Sequence, residues 1–198
     1  SSVSTGSFIS VKGGQMSYNG NAVPGNKLEV VVIASVLENK LYEGKYDPGN
    51  AQSPMCYAFG TDEETIAPHE AVKNPVASHC AVCPNNEWDT GEGGRGKACK
   101  NIRRLALITA DALDGGAVGI ADAVVAYLEV PVTSVKAWAG YVNQLASQNK
   151  PPLAFVTEIS VVPDSVTQLK VNFRAVEELD DGELIGALLE KADVVEAN

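Results

Sequence analysis

The sequence contains only two histidines, and this scarcity restricts the catalytic chemistry available to it. No Ser-His-Asp arrangement and no HExxH motif occurs, which argues against the common hydrolase and zinc-protease sites. The zinc-deaminase pattern H-x-E with P-C-x-x-C fails as well, because position 71 is Ala and the residue before Cys80 is His79. We therefore expect no enzymatic activity.

Long apolar runs are also missing. No stretch of about 18 apolar residues occurs, so we expect no membrane span. The first ten residues, SSVSTGSFIS, do not resemble a signal peptide, which favours a reducing intracellular compartment. The chain does not begin with Met, and we expect it to be trimmed or processed.

Positive charge is scarce overall, since the net charge is −10. The acid is concentrated at the end of the chain: residues 177–198 carry a net charge of −7, and the other 176 residues carry only −3. Five cations cluster around Cys99, namely Arg95, Lys97, Lys100, Arg103 and Arg104. A local basic surface there would keep a nucleic-acid partner possible in an acidic chain. The alternative is that these cations are simply solvated loop residues.

The few cysteines are grouped. All four lie within one 44-residue window, as Cys56, Cys80, Cys83 and Cys99, with the spacing C-x23-C-x2-C-x15-C. Two thiolates of a CxxC pair on a tight turn can point at one tetrahedral ion, and an x15 gap is normal for a zinc ribbon. We predict a structural zinc ion held by these four cysteines, with no open position for a catalytic water. The two histidines, His69 and His79, are reserve ligands, and the four-thiolate pattern favours zinc over iron.

Three other interpretations of the cysteines remain. Disulfides would suit a secreted chain, which the N-terminus does not indicate. A thioredoxin-like CxxC requires a strand before it and a helix after it, whereas SHCAVCPNNE is typical of a loop. Four unrelated buried thiols are disfavoured by their clustering. The long irregular stretch from residue 46 to residue 100 further indicates that a metal organises it.

Residues 91–97 match the first seven places of a phosphate-binding loop, Gly-x-x-x-x-Gly-Lys. The eighth place is Ala98, which lacks the hydroxyl that would hold magnesium. The preceding CPNNEWDT is polar and the following IRRLALI has the pattern of a strand, the reverse of what such a loop needs. We do not expect an ATP-type site.

The periodicity along the chain predicts a mostly β fold. Strands are expected at residues 8–12, 15–18, 28–37, 40–43, 103–109, 123–132, 153–164 and 167–179, with a turn at Glu38-Asn39 and a loop at 110–119. One internal helix is expected at 134–150 and a C-terminal helix at about 181–194. We predict one OB-fold-like β-barrel domain, an antiparallel Greek key, over residues 1–198; a β-sandwich is the alternative. A zinc-ribbon-like insertion spans 46–101, and an acidic segment spans 177–198.

The segment MCYAFG…HCAVCPNNEWDTGEGGRGKACKNIRRLALI resembles a family of bacteriophage proteins with the signature Cys…CxxCPxNEW…GKACKNxRRLA. The matching residues are Cys56, Cys80, Cys83, Pro84, Asn86, Glu87, Trp88, Gly96, Lys97, Ala98, Cys99, Lys100, Asn101, Arg103, Arg104, Leu105 and Ala106. The later segment FVTEISVVPDSVTQLKVNFRAVEEL is similar more loosely. The resemblance implies a single-stranded DNA-binding protein of the OB-fold type with an added zinc element, in the cytoplasm of an infected bacterium. It also implies that the acidic C-terminal segment contacts replication proteins and competes with DNA, unless that segment is an ordinary packed helix.

Binding of single-stranded DNA requires cations along the phosphates and aromatic faces for the bases. The candidate cations are the five around Cys99, and the candidate stacking residues are Tyr42, Tyr46, Tyr57, Phe59 and Trp88. Trp88 is the first choice because its neighbours are polar, whereas Trp138 and Tyr141 lie on the apolar face of the predicted internal helix. The alternative function is a zinc-stiffened module that docks a replication or transcription protein and does not bind DNA.

Overall fold

The computed structural model describes residues 7–44, 49, 52–166 and 168–196. The chain divides into two compact units, one made of residues 1–35 and 104–198 and the other of residues 36–103. In the described part of the chain, no helix combines the length and the apolar character that crossing a membrane would require.

Nine strands and three α-helices are present in the described part of the chain. The strands are β1 (Ser7–Ser10), β2 (Ser17–Tyr18), β3 (Asn21–Ala22), β4 (Lys27–Leu41), β5 (Cys56–Gly60), β6 (Lys100–Thr109), β7 (Ala126–Val130), β8 (Phe155–Asp164) and β9 (Gln168–Glu178). The helices are α1 (Gly116–Asp122), α2 (Val135–Ala146) and α3 (Gly182–Glu196). The sheet order is β3-β2-β1-β7-β6-β4-β8-β9, and β5 pairs with β4.

Most strand pairs whose direction is established are antiparallel: β1 with β2, β2 with β3, β4 with β5 and with β8, and β8 with β9. The pair β1–β7 is parallel, so the sheet is mixed. The predicted class, mostly β and consistent with an OB-fold-like barrel, is confirmed.

The first unit has a core on each face of the sheet because its central strands alternate apolar side chains between the two faces. On one side lie Val30, Val32, Leu105 and Leu107; on the other lie Val31, Ile33, Ala106 and Ile108. Strands that are apolar on both faces must be covered on both, and helices supply part of that cover.

Helix α2 covers the first core with the side chains predicted from its spacing. Trp138, Tyr141 and Leu145 are buried, and the Tyr141 hydroxyl shares a buried hydrogen bond of 2.6 Å with the Thr157 hydroxyl. Phe173 on β9 packs edge-on against the Trp138 ring, with 5.1 Å between centroids. Both rings predicted to be core residues are therefore core residues.

Helix α3 covers the second core. Its Leu188 and Ala192 are buried, and the Asp181 carboxylate accepts hydrogen bonds from the Glu183 and Leu184 backbone N–H groups at the start of the helix. The acidic segment thus begins at the end of β9 and continues as a capped, packed helix from residue 182 to 196, with its carboxylates on the outside.

Two local predictions are wrong. Strand β4 continues through Glu38 and Asn39, which pair with Phe59 and Ala58 where a turn was expected. Both side chains are buried and have polar partners, so tertiary contacts override their turn preference. Residues 110–119, expected to be a loop, form a 3-10 helix at Ala110–Gly115 and the start of α1, whose Ile120 is fully buried.

The second unit contains the end of β4, all of β5 and the start of β6, and its described residues also form 3-10 turns at Cys80–Val82, Pro84–Asn86 and Glu92–Gly94. Its core cluster is small and consists of Leu37, Ala58, Ile66 and Cys80. A core of this size leaves a unit of 68 residues marginal unless a metal or cross-link supports it. The expected insertion at 46–101 falls inside this unit.

Candidate metal centre and nucleic-acid surface of the second unit

All four cysteines line one small cavity of about 20 Å³. All four are free thiols, and Cys80 and Cys99 are buried. His79 also lines this cavity, together with Asn39 and Asn86. The structure therefore brings together the residues that the spacing singled out as ligands, with one of the two reserve histidines beside them.

Backbone hydrogen bonds place three of the four cysteines, and strand pairing places the fourth. The Cys83 N–H donates to the Cys80 carbonyl over 3.2 Å, which closes the CxxC turn. The Cys80 N–H donates to the Ile66 carbonyl, and the Cys99 N–H donates to the Asn85 carbonyl over 2.7 Å. Cys56 opens strand β5.

The side chain of Asn86 braces the CxxC turn, since its amide N–H donates to the Cys80 carbonyl over 2.9 Å. Its other polar atom, Oδ1, is buried and accepts no hydrogen bond from the described residues. The turn is thus held by both backbone and side chain, with an unused acceptor at the cavity wall.

The four sulfur atoms share one electrostatic environment. Burial, together with negative charge on Cys80, Cys83 and Cys56, raises the pKa of Cys99 to about 12, while the Lys97 ammonium opposes the rise. Burial also raises the pKa of Cys56, again with contributions from Cys80 and Cys83. Thiolates crowded in this way repel one another, which favours the protonated thiols. A divalent cation among them would attract the sulfur atoms and favour the thiolates instead.

The four cysteine thiolates are a donor set that fits a tetrahedrally coordinated metal ion. The side chains are near but not convergent: among the described residues, no three His, Cys, Asp or Glu side chains already form a group that could hold a metal ion. Coordination would therefore draw the sulfur atoms inward from their present positions.

An open groove of about 760 Å³ lies on the second unit, and we call it the cationic groove. Arg95, Lys97 and Lys100 line it together with Tyr42, so three of the five predicted cations and one predicted stacking residue meet there. Its other lining residues are Leu41, Glu43, Gly44, Met55, Asn85, Thr90, Gly91, Glu92 and Ala98. Two carboxylates in the wall moderate its positive charge.

The glycine-rich loop forms one wall of the cationic groove. The Gly91 N–H donates to the Gly96 carbonyl over 3.2 Å, and a Cβ on Gly91 would lie 2.0 Å from the Arg95 carbonyl oxygen, so only glycine fits. The Thr90 hydroxyl accepts a hydrogen bond from the Ala98 N–H over 3.0 Å. Strand β6 follows this loop, which is not the strand-loop-helix context of a nucleotide-hydrolysing site.

Trp88 is 72% exposed, as its polar neighbours predicted. The Lys97 ammonium lies over its ring, with Nζ 5.6 Å from the ring centroid. Since Lys97 also lines the cationic groove, this contact places the indole at the groove margin. A cation and an aromatic face are thus available at one point.

A second aromatic surface lies along β5. Tyr57 and Phe59 are two residues apart and so share one face of the strand, with 5.7 Å between their ring centroids. His69 stacks on Tyr57 at 5.1 Å, and Lys40 is the residue opposite Tyr57 on β4. We call Tyr57, Phe59, His69 and Lys40 the aromatic face.

Sequence reasoning missed His69 and Lys40 as members of this surface. The cross-strand register of β4 and β5 brings in Lys40, and a backbone hydrogen bond of 2.9 Å from the His69 N–H to the Tyr57 carbonyl brings in the imidazole. Strand β5 lies in the stretch that was expected to be irregular, so the sequence predicted neither this strand nor its register with β4.

The remaining predicted contacts lie elsewhere. Arg103 forms an ion pair with Glu63 at 3.1 Å, and its side chain is only 18% exposed. Arg104 belongs to the first unit. Tyr46 lies outside the described residues.

Comparison with known proteins adds no relative: no family model, no curated protein and no solved structure matches this chain.

Proposed function

We propose that this protein binds single-stranded DNA without sequence preference, through the cationic groove and the aromatic face of its second unit. The resemblance of residues 55–108 to phage single-stranded DNA-binding proteins supports this assignment. It further suggests a role in phage DNA replication, recombination or repair in the cytoplasm of the infected bacterium, with replication proteins as partners of the acidic segment.

The observation that carries the proposal is the pairing of Trp88 with Lys97. The Trp88 ring is 72% exposed and lies beside Lys97, which lines the cationic groove, so an aromatic face and a positive charge are accessible at one point. Single-strand binders combine these two elements, because every base offers a π-face and every nucleotide carries a phosphate.

Each part of the site has a separate task. Arg95, Lys97 and Lys100 would follow the phosphates, which carries no sequence information. Trp88 and the exposed ring of Phe59 would stack on bases, each contributing about 1–3 kcal/mol. The local charge of the groove explains how a chain of net charge −10 could attract a polyanion.

We further propose that Cys56, Cys80, Cys83 and Cys99 hold a structural zinc ion. When bound, zinc would supply the cross-link that the small core of the second unit lacks. The residues of the chain itself hold the loop that presents Trp88 and Lys97. With four thiolates bound, the zinc ion would have no open coordination position for a substrate.

The test is fluorescence anisotropy of a labelled mixed-sequence single strand and of its duplex, titrated with the full chain at several salt concentrations. We expect tight, salt-dependent binding of the single strand and much weaker binding of the duplex. The Lys97→Gln variant should bind less tightly, and the matched control Lys136→Gln, at an exposed position on α2, should not differ from wild type. Absence of binding at low salt in a zinc-loaded sample would overturn the proposal.

A second candidate is a zinc-stiffened protein-docking module. The exposed apolar side chains of the second unit favour it, since Val82 is 67% exposed and Phe59 48% exposed, and neither exposure nor apolar character is specific to DNA. This candidate predicts that the protein binds zinc and that Trp88 responds to a protein partner. It also predicts that no DNA affinity is measurable at any salt concentration.

A further inference from the structure

Lys97 makes two contacts that together determine where its ammonium lies. Its Nζ donates a hydrogen bond of 3.0 Å to Asn101 Oδ1, and the same Nζ lies over the Trp88 ring. Asn101 is four residues further along the chain, in the part of β6 that belongs to the second unit.

Asn101 is itself anchored. Its Nδ2 donates a hydrogen bond of 2.9 Å to Asn39 Oδ1, and Asn39 is buried on β4 and lines the thiol cavity. A continuous polar chain therefore runs from the cavity wall through Asn39 and Asn101 to Lys97, and ends at the face of Trp88.

A lysine side chain has four rotatable bonds, and holding it in one place costs up to about 2 kcal/mol of entropy. An exposed cation–π contact contributes only about 0.5–1 kcal/mol, which does not offset that cost alone. The hydrogen bond to Asn101 supplies the additional restraint, and the sheet holds Asn101 through Asn39.

We infer that Asn101 is a positioning residue that holds the Lys97 ammonium over Trp88, so that one face of the indole is covered and only the other can stack on a base. The inference rests on the proposed DNA binding for its consequence, although the Lys97–Trp88 geometry can be tested without DNA. It also explains why a lysine and an asparagine stand four residues apart, at Lys97 and Asn101.

The DNA-free test is acrylamide quenching of tryptophan fluorescence in the full-length protein. Trp138 is buried, so Trp88 dominates the quenchable signal, and the Trp88→Phe variant verifies this assignment. Asn101→Ala and Lys97→Met should each increase the quenching of Trp88 to a similar extent, and the double variant should equal either single variant. Unchanged quenching in Asn101→Ala, or additive effects in the double variant, would overturn the inference.

The DNA-binding test uses the same cycle. In the protein with its native Lys97, Asn101→Ala should raise the Kd for a single strand about two- to fivefold, the equivalent of an exposed cation–π contact. In the Lys97→Met variant, the same substitution should leave the Kd unchanged. A loss that persists without Lys97 would mean that Asn101 acts through the stability of the unit, which overturns the positioning role. Asn143→Ala on α2 is the matched control. If wild type binds no DNA, the proposed function fails, and quenching still decides the role of Asn101.

Discussion

Neutralising the cationic groove should remove most of the salt dependence of DNA binding. Each cation that neutralises a phosphate of a single strand contributes about 0.7 to the slope of log K against log salt. Replacing Arg95, Lys97 and Lys100 with Gln should therefore lower the slope by about 2, so the affinity lost between about 0.1 M and about 1 M salt should be about a hundredfold smaller in the triple variant than in wild type. Anisotropy titrations between 0.05 and 0.5 M salt, roughly the range over which counterion release is measured, give both quantities.

Arg103 provides the internal control for this experiment. It is a cation of the same cluster in sequence, but its guanidinium is paired with Glu63 and its side chain is only 18% exposed. Arg103→Gln should leave the slope close to that of wild type. If the triple variant keeps the full slope, or if Arg103→Gln loses as much as one of the groove cations, then the groove is not the path of the phosphates and the reasoning is refuted.

Three further expectations follow from the site. Trp88→Ala should cost about 1–3 kcal/mol of single-strand affinity and leave the melting temperature unchanged. Trp138→Ala should instead cost about 3–5 kcal/mol of folding stability. Equal effects of the two variants on stability would contradict the surface assignment of Trp88. Zinc chelation or Cys83→Ser should expose residues 56–100 to hydrogen exchange while the strands of the first unit stay protected, and loss of protection throughout would show a wider role for the metal. Because burial raises the pKa of Cys99 to about 12, zinc binding at neutral pH must displace its proton, and zinc affinity should therefore fall as pH falls. Calorimetry in buffers of different ionisation enthalpy measures the number of protons released. A zinc affinity that does not depend on pH would exclude Cys99 as a ligand.

The elements that sequence predicted well are those whose pattern is local. Helix α2 follows from apolar residues at helical spacing, and the β8–β9 hairpin follows from two long strands separated by a short turn. The cysteine cavity follows from spacing, because all four thiols fall within one 44-residue window.

The failures depend on distant partners. Glu38 and Asn39 have the composition of a turn, and they remain in β4 because burial and side-chain partners stabilise them there. No local pattern indicates that Arg103 pairs with Glu63, forty positions earlier in the chain. His69 joins the aromatic face through a stack on Tyr57, which no local pattern indicates.

The parallel pairing of β1 with β7 has a consequence for folding during synthesis. Strand β1 pairs early with β2, which follows it directly in the chain, but its parallel partner β7 is made only about 115 residues later, since Ser7 pairs with Ala126. Residues 36–103, by contrast, are contiguous and emerge complete before β7 does. The order of synthesis therefore favours closure of the cysteine-bearing unit first, while the edge of β1 that later pairs with β7 stays open and could be held by a chaperone.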